Sequence, residues 1–345
     1  MNILIIKPSA QLSSILITGG AGYVGSHIAF ELTQQGNQVI ILDRLQHGQS
    51  WPHAWGIFIE GDCADTHLLQ SIFLKYPIST VIHCAASIEV SESIAYPIHY
   101  YLNNVAVTLN LLQLMAHYHI PQIIFSSSCS VYGTPHDIAM SESHPIAPLS
   151  PYGTSKRMGE QIIQDAARAH QLSYVILRYF NAAGANAEYA LGERHKPETH
   201  VIPRLIEACY VRQPFTLFGA DYNTPDGTCL RDYTHVIDIA RAHVYALNYL
   251  QAQGPSDIFN IGSGKGISVR QLISAVEQVV GAKLIIKAAP RRMGDSPVLI
   301  ANIQKAKELL HWQPEHSELH MMIESAAAFM RSKEYKEFAR VQECA

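Results

Sequence analysis

The sequence predicts an α/β fold, a doubly wound parallel sheet followed by a smaller α/β C-terminal lobe. Three observations carry this prediction. A strand-like run, Ser14-Ile-Leu-Ile-Thr18, leads straight into a glycine-rich turn. Apolar runs of strand length then alternate with helical stretches as far as Arg178, and short polar or small residues close one strand after another. Such alternation marks βαβ units, in which helices cover both faces of a parallel sheet. The chain has 345 residues, more than one ordinary domain, and its 48% hydrophobic and 16% charged residues suit a globular protein.

The turn after the first strand, Gly19-Gly-Ala-Gly-Tyr-Val-Gly25, satisfies two dinucleotide spacings. One is Gly20-x-Gly22-x-x-Gly25; the other is Gly19-x-x-Gly22-x-x-Gly25. Both call for a tight turn, close approach of backbone to a pyrophosphate, and a helix whose amino end faces the anion. Residues 26–35 supply that helix, with Ile28, Ala29 and Leu32 on its inner face, and Gly36-Asn37 ends it. The second strand, residues 38–42, closes on Asp43. An acid about 20 residues past the glycines is placed to accept the ribose hydroxyls and repels a 2'-phosphate, so the Rossmann arrangement here favours NAD over NADP. Arg44, which follows, is of the type that grips a 2'-phosphate, although a solvated loop arginine is the commoner case.

Further strands are expected at 56–59, 80–83, 122–125 and 174–178, with helices at 66–75, 104–117 and 153–170. The strand ends carry Asp62, Cys84-Ala85-Ala86, Ser126-Ser127-Ser128 and Tyr179-Phe180-Asn181. In a parallel sheet, ligands bind beyond the carboxyl ends of the strands, so these residues describe one crevice. The Rossmann domain is expected over 1–181, with 1–13 an extra N-terminal segment. The remainder, 182–345, reads as mainly a substrate lobe, with segments near 232–261 returning to the sheet.

Tyr152 and Lys156 stand four apart at the start of a helix and so share a face. Making a phenol of pKa about 10 into a base at neutral pH needs roughly 4 kcal/mol. One cation about 5 Å away, at an effective dielectric of about 20, supplies roughly 3 kcal/mol. A positively charged nicotinamide would add the remainder, which suggests a phenolate base beside an oxidised dinucleotide.

Composition excludes several classes. A net charge of −4 gives no global attraction to nucleic acid or anionic lipid, and no run of 18 uncharged apolar residues is present. The six cysteines show no Cys-x-x-Cys pairing, which points to reduced thiols and a cytoplasmic protein. None of the eighteen histidines falls in a helical His-x-x-x-His ligand pair, so no metal is expected.

Taken together, Gly19-Gly-Ala-Gly-Tyr-Val-Gly25, His83-Cys-Ala-Ala86, Ser126-Ser-Ser-Cys-Ser-Val-Tyr-Gly133 and Tyr152-x-x-x-Lys156 resemble the extended short-chain dehydrogenase/reductases. Five later motifs are similar to the UDP-glucose 4-epimerase family: Arg178-Tyr-Phe-Asn-Ala-Ala-Gly184, Glu198-Thr-His-Val-Ile-Pro203, Phe218-Gly-Ala-Asp-Tyr222, the stretch 226–236 and Pro290-Arg-Arg-Met-Gly-Asp295. The resemblance runs from about Ile15 to Trp312. It implies NAD-dependent 4-epimerisation of a UDP-sugar through a transient 4-keto intermediate, by a homodimer that pairs helices 104–117 and 153–170 across its interface.

The resemblance also implies roles. Tyr152 would take the proton from the sugar 4-hydroxyl, Lys156 would lower its pKa and hold the nicotinamide ribose, and Ser128 would bond the reacting oxygen. Gly19, Gly22, Tyr23, Val24 and Gly25 would face the pyrophosphate. Asp43 would hold the ribose, and Asp62 and Cys63 the adenine. Cys84, Ala85, Ala86, Asn103, Ser126 and Tyr179 would line the rest of the cofactor site. On the substrate side, Asn181, Arg231 and Arg292 would bind the diphosphate, Phe218 would pack near uracil and Asp295 would accept from the uridine ribose.

Some positions depart from the family pattern: Arg44 stands in place of an asparagine, Ile88 of a lysine, Ser91 of a glycine and Leu299 of a bulky tyrosine. The last leaves N-acetylhexosamines open as alternative sugars, and the resemblance extends to pentose epimerases, which leaves UDP-xylose and UDP-arabinose open as well. A 4,6-dehydratase would need an acidic pair where this chain has Cys129-Ser130, and a simple NAD(P)-dependent reductase needs no diphosphate clamp.

Overall fold

The computed structural model describes residues 13–45, 52–134, 139–195, 197–292 and 296–343. The chain runs through β1 (Ser14–Thr18), α1 (Tyr23–Gln34), β2 (Gln38–Asp43), β3 (Ile57–Glu60), α2 (Thr66–Lys75), β4 (Ile78–His83), α3 (Val90–Ala95), α4 (Pro97–Tyr100), α5 (Val107–His117), β5 (Gln122–Ser128), α6 (Pro151–His170) and β6 (Ser173–Tyr179). Seven strands form one sheet in the order β10-β6-β5-β4-β1-β2-β3, where β10 is Asp257–Ile261, and every pairing in it is parallel. The order reverses between β1 and β4, which opens a crevice at their carboxyl ends.

Side-chain alternation along each strand divides the core. On one face Ile15, Ile17, Ile82, Ile124 and Leu177 pack with Ile28 and Leu32 of α1. On the other Leu16, Ile40, Val81, Ile123 and Ile176 pack with Leu69, Ile72, Leu111 and Met115 of α2 and α5. A strand buried on both faces has to be apolar throughout, which is why β1 reads as one continuous run.

Later elements are β7 (Asn181–Ala183), α7 (Val201–Val211), β8 (Pro214–Phe218), β9 (Leu230–His235), α8 (Val236–Gln251), β10, β11 (Gly266–Ser268), α9 (Val269–Val280), β12 (Ile285–Ala289), β13 (Val298–Leu299), α10 (Leu319–Arg331) and α11 (Lys333–Glu343). A four-stranded sheet places β9 against β11, β13 and β7, while β8 pairs with β12. The chain returns to the large sheet twice: α8 packs on α1, and β10 extends the sheet beside β6. A separate core of Ile202, Leu205, Leu272, Val276, Met322 and Ile323 joins α7, α9 and α10.

Element boundaries differ from expectation where polar groups intervene. Helix α1 starts at Tyr23 rather than residue 26, because Gly22 is its N-cap and the helix follows the turn directly. Strand β5 runs on through all three serines to Ser128, since they stay in register with Leu177, Arg178 and Tyr179 of β6. The helix expected over 104–117 splits into a π-helical turn, Tyr101–Ala106, and α5. Buried Asn104 lies in that turn, its Oδ1 accepting from the Ser87 amide at 2.8 Å and its Nδ2 donating to Ser155 Oγ at 3.0 Å. Helix α6 begins at Pro151, where Ser150 caps it by accepting from the Gly153 amide at 3.1 Å.

Candidate active site

The crevice is a cavity of about 730 Å³, and the glycine turn forms its floor. Gly19 has φ +71°, and a Cβ there would lie 2.7 Å from the Ala85 nitrogen, so the turn abuts the end of β4. A Cβ on Gly25 would come within 2.2 Å of the Gly19 carbonyl oxygen, a backbone atom that cannot yield. Only glycine lets the first turn of α1 fold this closely under the loop, and Tyr23, Val24 and Gly25 of that turn line the cavity. Asp43 ends β2 beside this turn, one carboxylate oxygen accepting from the Ala21 amide at 3.0 Å and the other from Leu45 at 2.9 Å.

Arg44 pairs with Asp62 at 3.0 Å, and Asp62 also accepts from the Ala64 amide at 2.8 Å. The arginine is therefore engaged by the next strand end. Burial pushes the Cys63 thiol up to about 12 and the Cys84 thiol to about 11, leaving both protonated at neutral pH. Ser126 links the β4 and β5 ends to β6: its hydroxyl donates to Cys84 Sγ at 3.1 Å and accepts from Tyr179 at 2.8 Å. Tyr179 is held from behind by His243, and Asn103 donates to Ser87 Oγ at 3.0 Å. Under the crevice His83 bridges Thr18 at 2.7 Å and Thr108 at 3.1 Å; burial lowers its pKa to about 3, so it is a neutral strut.

Ser128, Tyr152 and Lys156 are brought together at the wall of the cavity, from β5 and the first turns of α6. Burial pushes the Tyr152 phenol up to about 12, and the neighbour that lowers it is Ser128. The expected relief by Lys156 does not appear in the protein alone, because Lys156 Nζ donates to the Ser126 carbonyl at 2.8 Å. Burial brings Lys156 itself down to about 8, against the pull of Cys84 and Glu160. Tyr152 is thus buried and protonated, with its ring edge-on to Tyr100 at 6.5 Å.

All of the expected catalytic and cofactor residues line this one cavity, and so does Asn181, whose Nδ2 donates to the Asp232 carbonyl at 2.7 Å. Of the other expected substrate residues, Phe218, Arg231 and Arg292 lie outside its lining. Phe218 and Arg292 stack on one another, the guanidinium 4.2 Å from the ring centroid. Arg231 lies close enough to Cys129 to draw down its thiol, although burial still holds that thiol at about 12. Asp295 lies outside the described residues.

A model of the NAD dependent epimerase/dehydratase family matches residues 15–262. The UDP-glucose 4-epimerase of Halalkalibacterium halodurans is 45% identical over 91% of this chain and 94% of its own. This chain belongs to the UDP-glucose 4-epimerase family. It is an epimerase, and its cofactor is NAD.

Among solved structures, the UDP-glucose 4-epimerase from Brucella ovis in complex with NAD superposes with a TM-score of 0.89, at 41% identity over 91% of this chain and 97% of that one. The Bifidobacterium longum enzyme in complex with NAD+ and UDP gives 0.86, at 35% identity over 92% and 98%. The epimerase cavity also has lining that the sequence reading gave no role: Glu89, Ser130, His195, Thr199, His200 and Tyr233. The Glu198-Thr-His segment stood out as a motif, but nothing in its spacing revealed that Thr199 donates to Glu89 Oε1 at 2.6 Å across 110 residues.

Proposed function

We propose that the chain catalyses 4-epimerisation of a UDP-sugar, with UDP-glucose and UDP-galactose as the first pair, through a transient 4-keto intermediate. The observation that carries this reading is the cavity itself, which joins a glycine cradle and a ribose-binding acid at one end to Ser128, Tyr152 and Lys156 at the other. NAD, when bound, supplies a hydride acceptor that can return the hydride. Tyr152 takes the proton from the sugar 4-hydroxyl and gives it back, while Ser128 holds the reacting oxygen. Lys156, already aimed along β5, supplies the positive charge that favours the phenolate. Arg231, Arg292 and Asn181 bind the diphosphate, with Phe218 and Asp295 toward the uridine. The guanidinium forks suit phosphate oxygens.

Gly19, Gly22, Tyr23, Val24 and Gly25 face the cofactor pyrophosphate. Asp43 takes the adenosine ribose, Asp62 and Cys63 the adenine, and Cys84, Ala85, Ala86, Asn103, Ser126 and Tyr179 the remaining half. Asp43→Asn is expected to weaken NAD binding about tenfold or more, the worth of a charged hydrogen bond. The carboxamide oxygen can still accept from the Ala21 amide, which holds the turn, while the bond from the Leu45 amide is lost because Nδ2 only donates. Unchanged NAD affinity by titration calorimetry would remove Asp43 from the ribose.

Leu299 lies in register with Arg231 across β13 and β9, and a leucine in place of a bulky tyrosine leaves room for the acetamido group of an N-acetylhexosamine; a pentose remains the other alternative sugar. We assign 1–181 to the NAD-binding lobe and 182–345 mainly to the nucleotide sugar, with the return near 232–261. The outer face of α3–α6 carries exposed Ile94, Ile98, Leu102, Leu109 and Met158, which supports a homodimer. A sedimentation mass of 38.3 kDa, that of one chain, would remove it. The thiols of Cys63, Cys84, Cys129 and Cys209 are free, in keeping with the cytoplasm, and no helix among the described residues is long and apolar enough to cross a membrane. The net charge of −4 gives no reason for a nucleic acid partner.

The deciding experiment incubates the purified protein with UDP-galactose and follows UDP-glucose together with absorbance of reduced cofactor. Conversion without net NADH is expected; UDP-N-acetylgalactosamine and UDP-xylose then define the range. No conversion of any of the three, with NAD supplied, would overturn the reading.

A further inference from the structure

A second group of chemistry-bearing side chains lies at the rim of the cavity, on the loop that enters α7. Glu193, His195, Glu198 and His200 each bring one donor atom to within 4.8 Å of the other three. The Glu193 carboxylate is buried and contacts both imidazoles, with Oε1 2.9 Å from His195 Nδ1 and in close contact with His200 Nδ1. The two rings stand 5.5 Å apart and nearly perpendicular. Glu198 is oriented by the helix start, its Oε1 accepting from the Thr199 and His200 amides at 2.8 Å each.

Two carboxylates and two neutral imidazoles carry a formal charge of −2, and a half-buried group of that charge has to be neutralised by protons or by a cation. Nitrogen and oxygen donors that converge like this on one point offer a cation its ligands, and binding it would release any protons they carry.

We propose that Glu193, His195, Glu198 and His200 form a site for a divalent transition-metal ion, zinc first, that fastens the loop to the wall of the cavity. Two imidazoles with two carboxylates suit zinc, whereas magnesium and calcium take oxygen ligands throughout. With bonds of about 2.0–2.2 Å, tetrahedral ligand atoms lie roughly 3.3–3.6 Å apart. The cluster therefore closes on an ion with small side-chain movements. Because His195 and His200 line the cavity and Thr199 between them reaches Glu89, the ion would hold together one side of the epimerase pocket.

The test is a calorimetric titration of zinc chloride into tag-free, chelator-treated protein, with X-ray absorption at the zinc edge. Binding of one ion per chain is expected, weakened at least about tenfold in His195→Gln and in Glu193→Gln. The spectrum is expected to show imidazole scattering with nitrogen and oxygen at about 2.0–2.2 Å. Absence of saturable binding, equal affinity in the two variants with native circular dichroism, or a spectrum without imidazole would each overturn the proposal. The spectrum decides on the wild-type chain alone if a variant does not fold.

Discussion

Tyr152→Phe is expected to lower turnover of the UDP-sugar by about 10²–10⁴-fold, the worth of a positioned general acid or base, while NAD and UDP bind as before. The substitution removes one oxygen and keeps the ring, so its edge-on packing against Tyr100 survives. On the proposed mechanism the reaction loses the group that exchanges a proton with the sugar 4-hydroxyl. In the protein alone that group is a protonated phenol, pushed up to about 12 by burial, with Ser128 easing it. Its conversion to a base therefore rests on positive charge arriving beside it, and Lys156, brought down to about 8 and tethered to the Ser126 carbonyl, lines the same cavity one helical turn away. Turnover within about tenfold of wild type, measured as UDP-glucose formed from UDP-galactose, would take the phenol out of the reaction.

The largest effect on stability is expected from Glu160→Ala. Glu160 and Arg178 form a bidentate pair inside the sheet–helix interface, Nε to Oε1 at 2.8 Å and Nη2 to Oε2 at 2.7 Å, with neither side chain more than 2% exposed. Ser127 donates to the same carboxylate at 2.6 Å, and Tyr132 bridges from Arg178 at 3.0 Å to Asn260 at 2.6 Å. Burial works against the Arg178 charge, but Glu160 outweighs it and raises the pKa above the ordinary arginine value. Removing the carboxylate strands a buried cation and costs about 3–5 kcal/mol. Replacing both partners by methionine leaves no buried charge and is expected to recover most of that loss. Denaturant unfolding of the single and double variants checks both statements. A single-variant loss below about 1 kcal/mol would show that solvent reaches the pair.

The pair also illustrates what a sequence conceals. Arg178 reads as the start of a motif and Glu160 as one charge on a helix, and nothing local says that they meet. The same holds for Asn104, whose side chain joins Ser87 to Ser155 and widens a helical turn that periodicity alone reads as regular. By contrast β1, the glycine turn and β2 were legible residue by residue, and α1 in all but its first turn, since strand alternation, the steric need for glycine and the acid at the end of β2 are all short-range facts. Of the candidate substrate groups, Asn181 reaches the cavity lining while Phe218 and Arg292 stack on each other beyond it, a placement set by the pairing of β8 with β12, which puts Ala289 in register with Phe218.

By itself, then, the sequence determined the parallel sheet, the glycine turn at the end of β1 and the pairing of Tyr152 with Lys156 on one helical face, because each follows from periods of two to four residues or from a turn that admits only glycine. Tertiary structure alone decided the Lys156 tether to Ser126, the Glu160–Arg178 pair and the neutral His83 strut. It also decided the second sheet built around β9 and the convergence of Glu193, His195, Glu198 and His200. These depend on burial and on which distant strands and loops come to lie side by side, and both emerge only once the chain has closed on itself.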